Sequence, residues 1–377
     1  MRSLCVEGWR FLHHSFAVVN QWQLLSLLQR ADISLTVSDV PYFRDDWEPK
    51  KGLFSPDQER KLESIPASAP GESADATLRI SFPFDFSLRP DGRTILFATT
   101  EFGFIQGRGF KAPPDIEELS RSESFLLVTP SRWSREGLLR LGLRADQIVI
   151  VPHGVDPVTF HPSIEGRAAR EALKQPGFTF ANSSAMTMNK GIDLLLQAFA
   201  VVAQKHPDAR LMLKGADDLY KSHNLLKRTI ARLPTGVASL LEGRILYGGN
   251  AVTMASMAQF YQAADAYVSP YRGEGFNLPV LEASACGTPV ICTRGGSTDE
   301  FMNDDTALFI DSRLGDYIED DIHGWKLEPD LDHLIHLMLQ VIDDVEWRER
   351  AALVGPHRAA TQFSWDMVVD KLVGAIY

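Results

Sequence analysis

Cysteine is scarce in this chain. Cys5, Cys286 and Cys292 are its only three, an odd number, each in an apolar strand-like or helical context, and no Cys-x-x-Cys pair occurs. Neither a disulfide framework nor a structural zinc site is expected, and the three read as small core residues of a reducing compartment. Positive charge is also in short supply: the formal net charge is −11 and the pI is near 5.4. Nucleic-acid binding rests on basic contacts to phosphate, so that class of function is set aside. Residues 1–155 carry 18 Lys and Arg against 20 Asp and Glu, which places −9 of the −11 on the remainder. The first part is thus near neutral, but no Lys/Arg run marks it as a membrane-facing patch. Long hydrophobic runs are missing too. No stretch reaches the ~18 apolar residues of a membrane-spanning helix, and Leu4-Cys5-Val6 is too short for the core of a signal peptide. The expected location is cytoplasmic, with peripheral contact to the inner face of a membrane left open.

What remains is an ordinary soluble composition, 45% hydrophobic and 23% charged over 377 residues, enough for two domains. Strand-like runs alternate with amphipathic helical ones, the pattern of parallel α/β sheets. Strands are predicted at 2–6, 33–37, 94–98, 125–128, 148–151, 178–181, 210–214, 245–247, 266–269 and 289–292. Helices are predicted at 18–28, 191–204, 219–233, 253–263, 279–285 and 365–376, with Ser131 capping another. Residues 64–76 read as a mobile loop, and Pro152-His153-Gly154 as an interdomain hinge. There is no repeat of solenoid period.

One segment stands out: Glu274-Gly275-Phe276-Asn277-Leu278-Pro279-Val280-Leu281-Glu282. Proline is comfortable at the first helical position, where its missing N–H would be unpaired anyway. The amides of Phe276, Asn277 and Leu278 then stand at a helix start, which favours an anion. Glu282 follows about one turn in, so a phosphate there has a carboxylate before it and another behind. Carboxylates repel phosphate and accept from hydroxyls. An anion flanked by hydroxyl-bearing groups describes a sugar nucleotide.

At these residues the chain resembles the retaining glycosyltransferases of the family-four type (glycosyl transferases group 1), which have the GT-B fold. The resemblance extends through Ala283-Ser284-Ala285-Cys286-Gly287-Thr288-Pro289-Val290-Ile291, Gly295-Gly296 with Glu300, Pro152-His153-Gly154-Val155-Asp156, Lys190-Gly191 and Phe363-Ser364-Trp365. It covers most of 125–377; the first 120 residues match loosely. It implies two Rossmann-like doubly wound α/β domains facing a central cleft. Residues 1–154 would be the acceptor side and 155–362 the nucleotide-sugar side, with helix 363–377 crossing back.

The resemblance also implies roles. Lys190 would hold the diphosphate, Glu274 contact the transferred sugar and Glu282 the ribose hydroxyls. Gly275 and the amides of Phe276, Asn277 and Leu278 would meet phosphate or sugar. The arginine usual five residues before the lysine falls at Ala185. Arg272 or Lys214 could replace it, or the hydroxyls of Ser183 and Ser184 could contribute neutral contacts. In the first domain, Gly8 and His14 (with His13) occupy the turn that lies near the diphosphate in relatives, His14 as a candidate catalytic group. Glu101 is a polar candidate that reads as well as a solvated loop residue. His153 and Asp156 are as readily structural as substrate-binding. The implied activity is metal-independent, retaining transfer of a hexose from a UDP- or GDP-sugar to a glycan or glycolipid, without a cofactor, in cell-surface polysaccharide synthesis. Alternatives are a non-catalytic nucleotide-sugar-binding or scaffold protein and, disfavoured by the Glu274–Glu282 block, a sugar-nucleotide epimerase.

Overall fold

The computed structural model describes residues 1–69, 71–105, 107–163 and 177–377; Pro70, within the predicted loop at 64–76, lies outside them. The chain divides into two compact units. One comprises Met1–Gly154, Tyr317–Gly324 and Trp365–Tyr377, the other Val155–Asp316 and Trp325–Ser364.

The first unit is built on a six-stranded sheet of order β2-β1-β3-β4-β5-β6, every pair parallel. Its strands are β1 (Arg2–Gly8), β2 (Ile33–Asp39), β3 (Ala76–Ile80), β4 (Arg93–Phe97), β5 (Phe125–Thr129) and β6 (Ile148–Ile150). All five residues of β5 are buried, as expected for a strand covered on both faces. Ser131 caps the helix Arg132–Leu139 by accepting from the Ser134 amide. β3 is absent from the sequence reading, because Arg79 interrupts its apolar run. Burial of that arginine is made tolerable by Glu7 at 2.8 Å and the Asp85 carbonyl at 3.1 Å. The helix Trp365–Ile376 packs in this unit, where Ser26 donates to Asp366 at 2.5 Å and the Tyr377 hydroxyl to the Ser3 carbonyl at 2.9 Å.

The second unit repeats the plan with order β12-β11-β10-β7-β8-β9, again all parallel. The strands are β7 (Thr179–Ser183), β8 (Arg210–Lys214), β9 (Ile245–Gly248), β10 (Ala266–Ser269), β11 (Val290–Thr293) and β12 (Ala307–Ile310). Its core gathers Leu195, Leu196 and Phe199 of one helix with Leu334, Met338 and Val341 of another around the central strands.

Three features depart from the sequence reading. The helix predicted at 219–233 breaks at Lys221 (φ 52), because Asp217 accepts from the His223 amide at 2.7 Å and the Tyr247 hydroxyl at 2.8 Å. Beyond Cys292 the chain forms β12 and a hairpin, β13 (Ser312–Glu319) and β14 (Ile322–Pro329), before its last helices. The hairpin turn is Asp320-Asp321, both at positive φ, a demand usually met by Asn or Gly and so invisible as a turn signal. Finally, residues 317–324, read as part of the 155–362 segment, cluster with the first unit, where Tyr317 stacks on Phe102 at 3.9 Å. Among the described residues, no helix is long and apolar enough to cross a membrane.

Candidate active site

Because β7, β8 and β10 run parallel, their last residues Ser183, Lys214 and Ser269 share one edge of the second sheet, the edge where open α/β sheets bind ligands. The segment after β10 is closed by Asn277, whose side-chain amide donates to Ser269 Oγ at 3.0 Å. Asn277 has φ 79, a left-handed conformation that asparagine tolerates better than most residues. The helix then runs Leu278–Ala285, so Pro279 is its second residue rather than its first. The correction changes little, since the first four helical N–H groups lack intrahelical partners in any case.

Two loops are laced together here. Arg272 N donates to the Asn189 carbonyl at 2.7 Å, and Asn189 Nδ2 donates to the Gly273 carbonyl at 3.4 Å. Lys190 Nζ lies 2.9 Å from Glu274 Oε1, with the two side chains only 16% and 14% exposed. The ammonium thus points at the turn, and these two predicted residues meet. Gly191, at φ 67, lets the backbones approach: a Cβ there would fall 1.9 Å from the Pro270 carbonyl oxygen.

Arg272, expected to help bind the donor, is engaged within the protein. Its guanidinium grips both carboxylate oxygens of Asp193, at 2.7 and 2.8 Å, and donates to the Met188 carbonyl at 2.9 Å. Arg272 thus braces the segment around Lys190. Phe276 sends its ring into the core, stacked on Phe301 at 4.5 Å, which leaves its backbone as the part able to meet a ligand.

Glu282 is half-buried and accepts from the Tyr261 hydroxyl at 2.7 Å. Removal from water pushes its carboxyl from 4.5 up to about 7, against the pull of the tyrosine hydrogen bond. Sequence reasoning missed Tyr261, along with Tyr267, whose hydroxyl donates to the Ser183 carbonyl and accepts from its amide, both at 3.1 Å. The available signal was tyrosine in place of an aliphatic residue in otherwise core-like runs, since a buried hydroxyl needs a partner.

A raised carboxyl makes a signed prediction. The native state binds more protons than the unfolded one between about pH 4.5 and 7, so this contribution to stability is present at low pH and is lost as pH rises through about 7. At 1.36 kcal/mol per unit the loss is up to about 3 kcal/mol. Melting curves across that window should fall more steeply for the wild type than for Glu282→Gln; parallel curves would contradict the assignment.

Gly8 and His14 belong to the first unit. Gly8 is the last residue of β1 rather than part of a turn, and a Cβ there would lie 2.8 Å from both Asn20 Nδ2 and the Ile80 carbonyl oxygen. Close packing at this position requires glycine. His14 caps the helix Ser15–Leu27, its Nδ1 accepting from the Phe16 amide at 3.2 Å, among Trp9, Phe16 and Trp47. Burial, with His13 adding to it, lowers its pKa to about 3. That geometry makes His14 a helix cap. His153 lies between Phe97 and Trp365 and is lowered to about 3 by burial. Asp156 accepts from the Thr159 hydroxyl at 2.5 Å, and the Glu101 carbonyl accepts from Trp133 Nε1 at 2.9 Å.

Residues 177–344 match the family described as Glycosyl transferases group 1. The chain is 33% identical to the D-inositol 3-phosphate glycosyltransferase of Pseudarthrobacter chlorophenolicus over 49% of its own length and 43% of the relative's. It is 29% identical to a GDP-mannose-dependent monoacylated alpha-(1-6)-phosphatidylinositol monomannoside mannosyltransferase of Corynebacterium glutamicum, over 60% and 55% respectively. The chain thus spans about half the length of the curated relatives it matches. Among solved structures, Anabaena Alr3699/HepE in complex with UDP and glucose aligns with a TM-score of 0.70 at 14% identity, over 100% of this chain and 99% of that one. The fold is that of the GT-B glycosyltransferases.

Proposed function

We propose that the protein is a retaining, metal-independent glycosyltransferase that moves a hexose from a UDP- or GDP-sugar to a glycan or glycolipid acceptor. The observation that carries this reading is the Lys190–Glu274 pair at the start of the helix Leu278–Ala285. When the bond between the anomeric carbon and the diphosphate oxygen breaks, its electron pair stays on that oxygen. Lys190 and the amides before the helix would meet the resulting charge, while Glu274 accepts from sugar hydroxyls and Glu282 from the ribose. In the retaining course the acceptor oxygen bonds to the anomeric carbon on the face the diphosphate leaves, and its proton passes to the departing phosphate. No enzymic nucleophile and no cofactor is needed. Relatives named as GDP-mannose-dependent phosphatidylinositol mannoside mannosyltransferases support a GDP-sugar donor and a glycolipid acceptor; a cytoplasmic site of action and a part in cell-surface polysaccharide synthesis belong to the same proposal.

The test is a thermal-shift screen of UDP-, GDP- and ADP-sugars followed by an assay for released nucleoside diphosphate. A donor at 100 times its Kd stabilises by about 2.7 kcal/mol. A shift with at least one donor, accompanied by turnover, is expected. No shift at millimolar donor would remove the reading, and a shift without turnover would leave a non-catalytic binding protein.

A further inference from the structure

Glu282 and Tyr261 are unequal partners. The Glu282 side chain is half-buried and has rotatable bonds that the helix Leu278–Ala285 does not by itself fix. Among the described residues its carboxylate has one hydrogen-bond donor, the Tyr261 hydroxyl, 2.7 Å from Oε2, and Oε1 accepts from none of them. Tyr261, in contrast, is held on every side. It lies in the last turn of the helix Met254–Gln262, fully buried, its ring edge-on to Tyr267 at 5.6 Å and tilted against Phe160 at 6.2 Å. Tyr267 is fixed in turn by the Ser183 backbone. The Tyr261 carbonyl accepts from Thr288 Oγ1 at 2.7 Å, which ties the end of that helix to the turn entering β11. A phenylalanine ring would fill the same core space, so the hydroxyl is the one part of the side chain that packing does not call for. A buried hydroxyl is costly without a partner, and the partner here is Glu282. The bond also favours the carboxylate over its protonated form. A rigid donor therefore holds one oxygen of a flexible carboxylate and leaves the other to a ligand.

We infer that Tyr261 is a positioning residue of the donor site: its hydroxyl anchors Glu282 Oε2 so that Oε1 is presented to the ribose hydroxyls. The inference rests on the nucleotide-sugar reading and adds to it a residue that, being fully buried, touches no part of the donor. The effect is preorganisation. A carboxylate that is already fixed loses no rotamer freedom when the ribose arrives, whereas an unanchored one must be ordered at that moment.

Calorimetry on the whole chain compares UDP and GDP with their 2′,3′-dideoxy counterparts, which keep the base and the diphosphate and lack the ribose hydroxyls. The wild type should bind the tighter of the two ribonucleotides more strongly than its dideoxy form. Tyr261→Phe removes one oxygen and leaves the ring in place, and a melting curve checks that the fold persists. It should raise the Kd of that ribonucleotide about 2- to 10-fold, the range for ordering one side chain on binding, and leave the dideoxy Kd unchanged. In a Glu282→Ala background the same change should have no further effect, because the carboxylate it acts through is gone. An unchanged ribonucleotide Kd in Tyr261→Phe, an equal loss for both forms, or a further loss in the Glu282→Ala background would overturn the inference and leave the nucleotide-sugar reading intact. So would a wild type that binds both forms alike. A wild-type chain that binds neither diphosphate would overturn both.

Discussion

Lys190→Ala is expected to lower kcat/KM for the nucleotide-sugar donor by about 10²–10³-fold, the usual loss when one fixed donor to a developing oxyanion is removed. Two effects add in the same direction. The ammonium that would face the departing phosphate is gone. In addition, the Glu274 carboxylate, 14% exposed and now without that partner, is left to repel the negative charge that develops beside it. At an effective dielectric near 20, a unit charge pair at about 4 Å is worth ~4 kcal/mol, so the repulsion is not a small correction. Lys190→Ala/Glu274→Ala should therefore lose less than the product of the two single losses, since the second change relieves the strain left by the first. Thermal melts and circular dichroism on each variant separate lost chemistry from lost fold. Activity within threefold of wild type in Lys190→Ala, with the fold intact, would remove Lys190 from the chemistry.

The sequence made some of this legible and hid the rest for identifiable reasons. The strand runs at 125–128, 210–214 and 266–269 could be read because parallel strands buried on both faces are nearly continuous in apolar residues. β3 was hidden by a buried arginine whose partners lie in other segments, Glu7 and the loop at 85–87. The hairpin β13–β14 was hidden because most of its residues are half-buried or exposed and its turn is Asp-Asp. At the site, Lys190 and Glu274 lie 84 positions apart, yet a motif and a resemblance pointed to both, and they meet. The bracing by Arg272 was hidden because no local pattern announces Asp193, 79 positions away, as the partner of its guanidinium. The burial of His14 was hidden for a related reason: Trp9 and Phe16 are close by in sequence, but nothing local announces that Trp47 will close over it. Tyr261 was passed over because its ring belongs to the core, and only its hydroxyl, aimed at Glu282, belongs to the site.

The largest stability effect in the second unit is expected at Gly191. Alanine there meets two penalties. Its φ of 67 is left-handed, which costs a residue with a Cβ about 1–2 kcal/mol. The new Cβ would also sit 1.9 Å from the Pro270 carbonyl oxygen, a backbone atom with no rotamer to escape into. Relief requires the 187–191 and 270–274 segments to part by more than an ångström. That movement strains the 2.7 Å bond from Arg272 N to the Asn189 carbonyl and separates Lys190 from Glu274. The combined cost should exceed about 4 kcal/mol, in the exceptional range for a single substitution. At roughly 2–4 °C per kcal/mol for a unit of this size, Gly191→Ala should lower Tm by about 8 °C or more. Gly236→Ala isolates the first penalty: Gly236 has φ 89 and nothing within 4 Å of its would-be Cβ, so only backbone strain applies. Its Tm should fall by about 2–8 °C, less than half the loss in Gly191→Ala at the same conversion, with nucleoside diphosphate affinity unchanged. Equal losses in the two variants would mean that the Pro270 contact yields freely. The close approach of the two loops would then be incidental to holding Lys190 against Glu274, because a joint that opens without cost cannot fix an ammonium in place.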